Sequence, residues 1–96
     1  MEKIYDLLII GSGAAGLSAG IYAGRARLDT LIIEKEQVGG QTITTAEIVN
    51  YPGIRSTTGP KLMEDMRLHA LDFGVEFAFG EIEKVDFSND IKVLYT

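Results

Sequence analysis

The chain has 96 residues, 46% of them hydrophobic, and a formal net charge of −5, which suits one domain with a modest core. Its acidity, with 9 Lys and Arg scattered singly, argues against nucleic acid or an anionic membrane as partner. The absence of cysteine excludes disulfides, thiolate metal sites and thiol chemistry within these residues, and no apolar run approaches the length of a membrane span.

The opening MEKIYDLLII lacks a small-residue cleavage site and reads as a strand, not a signal peptide. Residues 4–10 are apolar and bounded by glycine, with Asp6 expected near the strand's exposed beginning. Residues 13–27 predict a helix whose larger apolar groups are Leu17, Ile21 and, just beyond, Leu28. Gly16, Gly20 and Gly24 recur every fourth residue along one helical face. Each costs about 1 kcal/mol relative to alanine, so the helix needs a compensating close approach to a sheet or a neighbouring helix. LIIE, residues 31–34, is a second apolar strand that ends in an acid. Strand, turn, helix and strand together have the size of a βαβ unit with parallel strands.

Residues 37–60, rich in glycine, threonine and proline, show no sustained period and predict an irregular, functional segment. Gly59-Pro60 then opens a helix over residues 60–73, with Leu62, Met63, Met66, Ala70, Leu71 and Phe73 as its apolar stripe and Gly74 as its stop. Residues 75–79, 82–87 and 91–95 read as strands, the last two joined by a hairpin turn at Ser88-Asn89-Asp90. The chain ends at Thr96 within strand-like sequence, which predicts an unfinished domain.

Gly11, Gly13 and Gly16 form G-x-G-x-x-G between the first strand and the first helix. In a dinucleotide site the first glycine turns the chain sharply. The second admits a pyrophosphate, and the third lets the helix pack closely. The helix N-terminus offers N–H groups and partial positive charge to the phosphates, and Ser12 is expected to add a hydroxyl contact. Glu34, at the end of the second strand, suits both hydroxyls of an adenosine ribose and repels a 2′-phosphate. The motif therefore favours FAD or NAD over NADP, without separating the first two.

GSGAAGLSAGIYAGRARL, then IIEKEQVGGQTITTAEIVNYPG, then GPKLMEDMRLHALDFGVEF together resemble the N-terminal FAD-binding region of low-molecular-weight thioredoxin reductases. The pairing of Gly39-Gly40-Gln41 with Asn50-Tyr51-Pro52-Gly53 carries more of the likeness than the glycine motif does. The resemblance implies an α/β, Rossmann-like FAD-binding domain, incomplete within residues 1–96, with a parallel sheet from the βαβ unit and a small antiparallel hairpin. It implies that NADPH reduces FAD, FAD reduces a dithiol/disulfide pair, and that pair reduces thioredoxin, in a cytoplasmic homodimer.

By matching positions, the resemblance sets Gly11, Ser12, Gly13, Ala14 and Ala15 along the pyrophosphate, and Glu34 with its neighbour Lys35 at the ribose. Gly40, Gln41, Thr45 and Asn50 lie toward the ribityl chain and flavin, and Val85 near the adenine. Gln41 and Asn50 carry amides that both donate and accept, but either could equally only organise its own loop. Tyr51 has the same two readings, near the flavin or filling the loop's interior.

The Cys-x-x-Cys and the second, NADPH-binding glycine motif of the family do not occur in these residues. Nor do the Ala-Thr-Gly turn and the C-terminal Gly-Asp segment of its FAD domain. The 96 residues alone are therefore expected to be inactive. Three alternatives stay open: the FAD part of a related ferredoxin–NADP reductase, an NAD-binding module, and a non-catalytic half-domain that self-associates through its unfinished sheet. His69, the single histidine, is expected at the surface or its boundary, and Arg25 and Arg27 at a solvated helix end. Glu64, Asp65, Asp72, Glu81 and Glu83 lack the histidine or cysteine company of a transition-metal site.

Overall fold

Leu7–Ile10 form β1, Ala14–Arg25 form α1 and Thr30–Glu34 form β2 in the computed structural model, which describes residues 3–36, 38–39 and 46–96. They are followed by α2 (Gly59–Asp72), β3 (Glu76–Phe79), β4 (Lys84–Asp86) and β5 (Val93–Tyr95). The first three strands make a parallel sheet in the order β1-β2-β3, and β4 and β5 make a separate antiparallel pair. The βαβ unit and the hairpin are those expected from the sequence. In addition, residues 76–79 join the parallel sheet as its third strand, beside β2.

The boundaries shift for local reasons. Asp6 precedes β1 and accepts the Asp29 N–H on Oδ2 at 2.8 Å, which fixes the strand's start against the residue before β2. Lys3 Nζ lies 3.3 Å from Asp29 and 3.1 Å from Glu76, so one cation spans the amino ends of β2 and β3. α1 begins at Ala14 because Gly13 is extended (φ −71°, ψ −172°) and serves as N-cap. It ends at Arg25, before Arg27 enters the left-handed region at φ 65°. Arg25 and Arg27 are both exposed.

Both helices contribute to one core. Leu17 of α1, Ile32 of β2, Leu62, Met63, Met66 and Ala70 of α2, and Val75 are buried together. Ile9 and Phe77, the register partners of Ile32 on either side, are partly buried against that cluster. Leu17 and Ile32 are fully buried, and each contributes about 1.5–3 kcal/mol through apolar burial. Of the predicted α2 stripe, positions 62, 63, 66 and 70 are buried, whereas Leu71 and Phe73 are exposed. A residue directly after a buried one is turned about 100° away from it on a helix, and Phe73 lies past the last turn, at the C-cap.

The helical glycines sit where bulk is excluded. A Cβ at Gly20 would come within 2.7 Å of Ile32 Cδ1, and one at Gly24 within 2.9 Å of Val75 Cγ2 and of Phe73 Cβ. The cost in helix propensity thus secures contact with β2 and with the α2–β3 corner. Between β2 and α2, Ile48 pairs with Thr57 and Tyr51 with Ile54 in isolated bridges. Tyr51 and Ile54 pack on the core, so Tyr51 fills the loop's interior. With Ile21, Tyr22, Leu62 and Met66 they also line a shallow apolar groove. His69 is exposed and packs at a tilt against Phe73, with 5.3 Å between ring centroids and 40° between their planes.

Candidate functional site

The carboxyl ends of β1 and β2 meet at the glycine turn. Gly11 extends the ladder by donating its N–H to the Ile33 carbonyl at 2.8 Å, then turns at φ +98°, a conformation that glycine adopts at no steric cost. Gly16 brings α1 hard against that turn, because a Cβ there would overlap the Gly11 carbonyl oxygen. Gly13 is different. Its backbone angles suit any residue, and among the described residues an added Cβ would meet only the Gly39 carbonyl oxygen, at 4.0 Å. The described residues therefore account for glycine at 11 and 16 but not at 13, where close approach of a ligand is a physical reason for it.

The two helix starts also differ. At α2, the Thr58 side chain accepts the Lys61 N–H at 3.3 Å and proline occupies the first turn, an ordinary cap. α1 has neither a side-chain cap nor an acid in its first turn. Its leading N–H groups, on Ala14, Ala15 and Gly16, have no partner among the described residues and are open to an anion.

Glu34 closes the site from β2. Its Oε2 accepts the Ser12 N–H at 2.8 Å and the Ser12 hydroxyl at 2.5 Å. Its Oε1 accepts the N–H groups of Lys35 at 3.0 Å and Glu36 at 3.2 Å. Partial burial pushes the Glu34 carboxyl up, but the Ser12 hydroxyl and the N–H groups of Glu36, Ser12 and Lys35 outweigh it and hold the pKa below the usual glutamate range. An anionic group is therefore secured beside the turn, repulsive to a further phosphate, and sugar hydroxyls would share its oxygens with these four donors.

A depressed folded-state pKa has a definite consequence. The stability contributed by ionised Glu34 is complete above the ordinary value of 4.5 and is lost as pH falls below it, through the folded-state value. Thermal melts of the parent and a Glu34→Gln variant should differ by about 1–3 kcal/mol at neutral pH, because the amide sets a donor against existing donors. The difference should shrink steadily below 4.5. A gap that is constant with pH would mean the carboxylate is not held this way.

Gly11, Ser12, Gly13, Ala14, Ala15, Glu34 and Lys35 are thus gathered at one end of the sheet. Lys35 donates its N–H to Glu34, while its ammonium pairs with Glu81 at 3.2 Å on the surface. Asn50 is exposed in the loop between the two isolated bridges. Val85 pairs with Leu94 in the separate β4–β5 sheet. Gly40, Gln41 and Thr45 fall outside the described residues. Sequence reasoning did not anticipate the part of Gly39, which is buried, has φ +103° and donates its N–H to the Ser12 carbonyl at 2.7 Å. Its only prior signal is the Gly39-Gly40 pair.

The family model described as FAD binding domain matches residues 6–77. The chain is 50% identical over 95 residues to a thioredoxin reductase of Peptoclostridium acidaminophilum, covering 98% of this chain and 30% of that protein. It superimposes on the crystal structure of thioredoxin reductase from Streptococcus pyogenes with a TM-score of 0.92 at 42% identity, over 97% of this chain and 30% of the other. The ferredoxin-flavin thioredoxin reductase of Clostridium acetobutylicum matches with a TM-score of 0.85 at 29% identity, over 98% of this chain and 33% of the other. The chain thus spans about three-tenths of the length of these relatives.

Proposed function

The chain belongs to the FAD-binding domain family, and on that footing we propose that it forms the flavin-binding region of a thioredoxin reductase-like oxidoreductase. The observation that carries the reading is the uncapped start of α1 beside a glycine that no described neighbour requires, with the Glu34 carboxylate at the next strand end. Pyrophosphate lies along the 11–15 segment and is held by the leading N–H groups of α1, and the adenosine ribose lies by Glu34 with Lys35 alongside. Gly40, Gln41, Thr45 and Asn50 are assigned to the flavin side and Val85 to the adenine side, as the resemblance implies. Residues 1–96 are then the N-terminal part of one FAD/NAD(P)-binding domain.

FAD, when bound, would supply hydride and electron transfer between NADPH and a disulfide. These residues bind and orient it. The resemblance extends the proposal to a cytoplasmic homodimer with thioredoxin as electron acceptor. A second reading, with ferredoxin as electron donor, is favoured by the likeness to the Clostridium acetobutylicum protein.

Intact mass and an absorption spectrum on one sample of the full-length protein test the proposal. The protein should be yellow and release FAD on denaturation. NADPH should bleach it, and oxidised thioredoxin should restore the colour. Release of NAD, or of no nucleotide, would overturn the flavin assignment, while bleaching by reduced ferredoxin and not by NADPH would favour the second reading.

A further inference from the structure

Ser12 carries the one polar side chain in the glycine turn, yet it is 0% exposed. Every hydrogen bond of its hydroxyl among the described residues runs to Glu34 or Gly39. It donates to Glu34 Oε2 at 2.5 Å and accepts the Gly39 N–H at 3.3 Å. Among the described residues four donors reach the Glu34 carboxylate, and three are backbone N–H groups fixed by the turn and the strand end. The Ser12 hydroxyl is the fourth and the one side-chain donor. A flexible acid gains a single orientation when a buried, charge-assisted hydrogen bond locks it. The sequence suggested a phosphate contact for this hydroxyl; the bonds it makes serve the acid instead.

We propose that Ser12 is a positioning residue, whose hydroxyl fixes the Glu34 carboxylate toward the ribose of a bound adenosine diphosphate group and ties that acid to Gly39. This rests on the reading that Glu34 takes the ribose hydroxyls, and the test separates the two. The nucleotide-free full-length protein is titrated with ADP and with 2′,3′-dideoxy-ADP, which has the phosphates but not the hydroxyls.

The parent should prefer ADP. Ser12→Ala should weaken ADP binding about ten- to 150-fold, the scale of one hydrogen bond to a charged group, and leave dideoxy-ADP binding unchanged. On a Glu34→Ala background the same change should have no further effect. Ser12→Cys keeps the volume with only a weak donor; it should fall between parent and alanine, and it supplies the same comparison if the alanine variant does not fold. Equal weakening of both ligands would assign Ser12 to the phosphates or the turn's shape and overturn the proposal, as would unchanged or tighter ADP binding. A parent that does not distinguish the ligands would overturn the ribose assignment, and this proposal with it.

Discussion

A Gly13→Val protein is expected to fold like its parent and fail to retain flavin. Residue 13 is extended at φ −71° and ψ −172°, which valine adopts freely, and a Cβ there would stand 4.0 Å from its nearest neighbour, the Gly39 carbonyl oxygen. Exchanging glycine for valine at an N-cap costs about 1 kcal/mol or less, a fall of about 4–8 °C in melting temperature for a domain of this size. The branched side chain would, however, stand where a pyrophosphate must approach the N–H groups of α1. Forcing atoms into occupied space typically costs about 1–3 kcal/mol, a loss of about five- to 150-fold in affinity. Flavin absorbance after gel filtration reads the binding. Melting should be compared with flavin-stripped parent, since a bound dinucleotide raises the midpoint by itself. Parent-level flavin in the variant would remove the role given to this turn.

Three residues along, the expectation reverses. Gly16→Ala should damage the fold itself. Its Cβ would overlap the Gly11 carbonyl oxygen, lie 3.0 Å from the Gly11 carbonyl carbon and 3.5 Å from Ile9 Cγ2. The first two are backbone atoms of a turn already held to Ile33, so relief requires α1 to move away from β1. We expect a loss of about 3 kcal/mol or more, or a midpoint lower by about 15 °C, seen by calorimetry on flavin-stripped protein. The pair of variants divides one motif into a residue needed for the ligand and a residue needed for the helix. If Gly16→Ala melts with the parent, α1 is not seated on the turn as described.

The parts of the molecule legible in the sequence are those governed by neighbours along the chain. The LLII and LIIE runs, the glycine turn between them and the 3.6-residue rhythm through Leu62, Met66 and Ala70 are local patterns, and each forms the expected element. The placement of Glu34 follows too, because an acid ending an apolar strand is carried to the strand's carboxyl end along with the turn after β1. The parallel pairing of β3 was not legible. VEFAF would look the same in a hairpin or beside a parallel neighbour, and the choice is made by α2, which returns the chain to the sheet's amino end. Nor does any spacing reveal that Ser12 is buried with its hydroxyl on Glu34, since a side chain's partner across the sheet depends on packing that the sequence leaves implicit. Leu71 and Phe73 are apolar and exposed; composition counted them into the stripe, and helical geometry turned them out.

The strand order β1-β2-β3 repeats the order of the chain. Each new strand adds to an edge that already exists, and none must be threaded between two others. A polypeptide emerging from the ribosome can lay this sheet down as it is made. The turn at Gly11–Gly16 and its companion acid both precede α2 in the chain, so the β1–α1–β2 unit that carries them is complete in sequence before α2 and β3 are added.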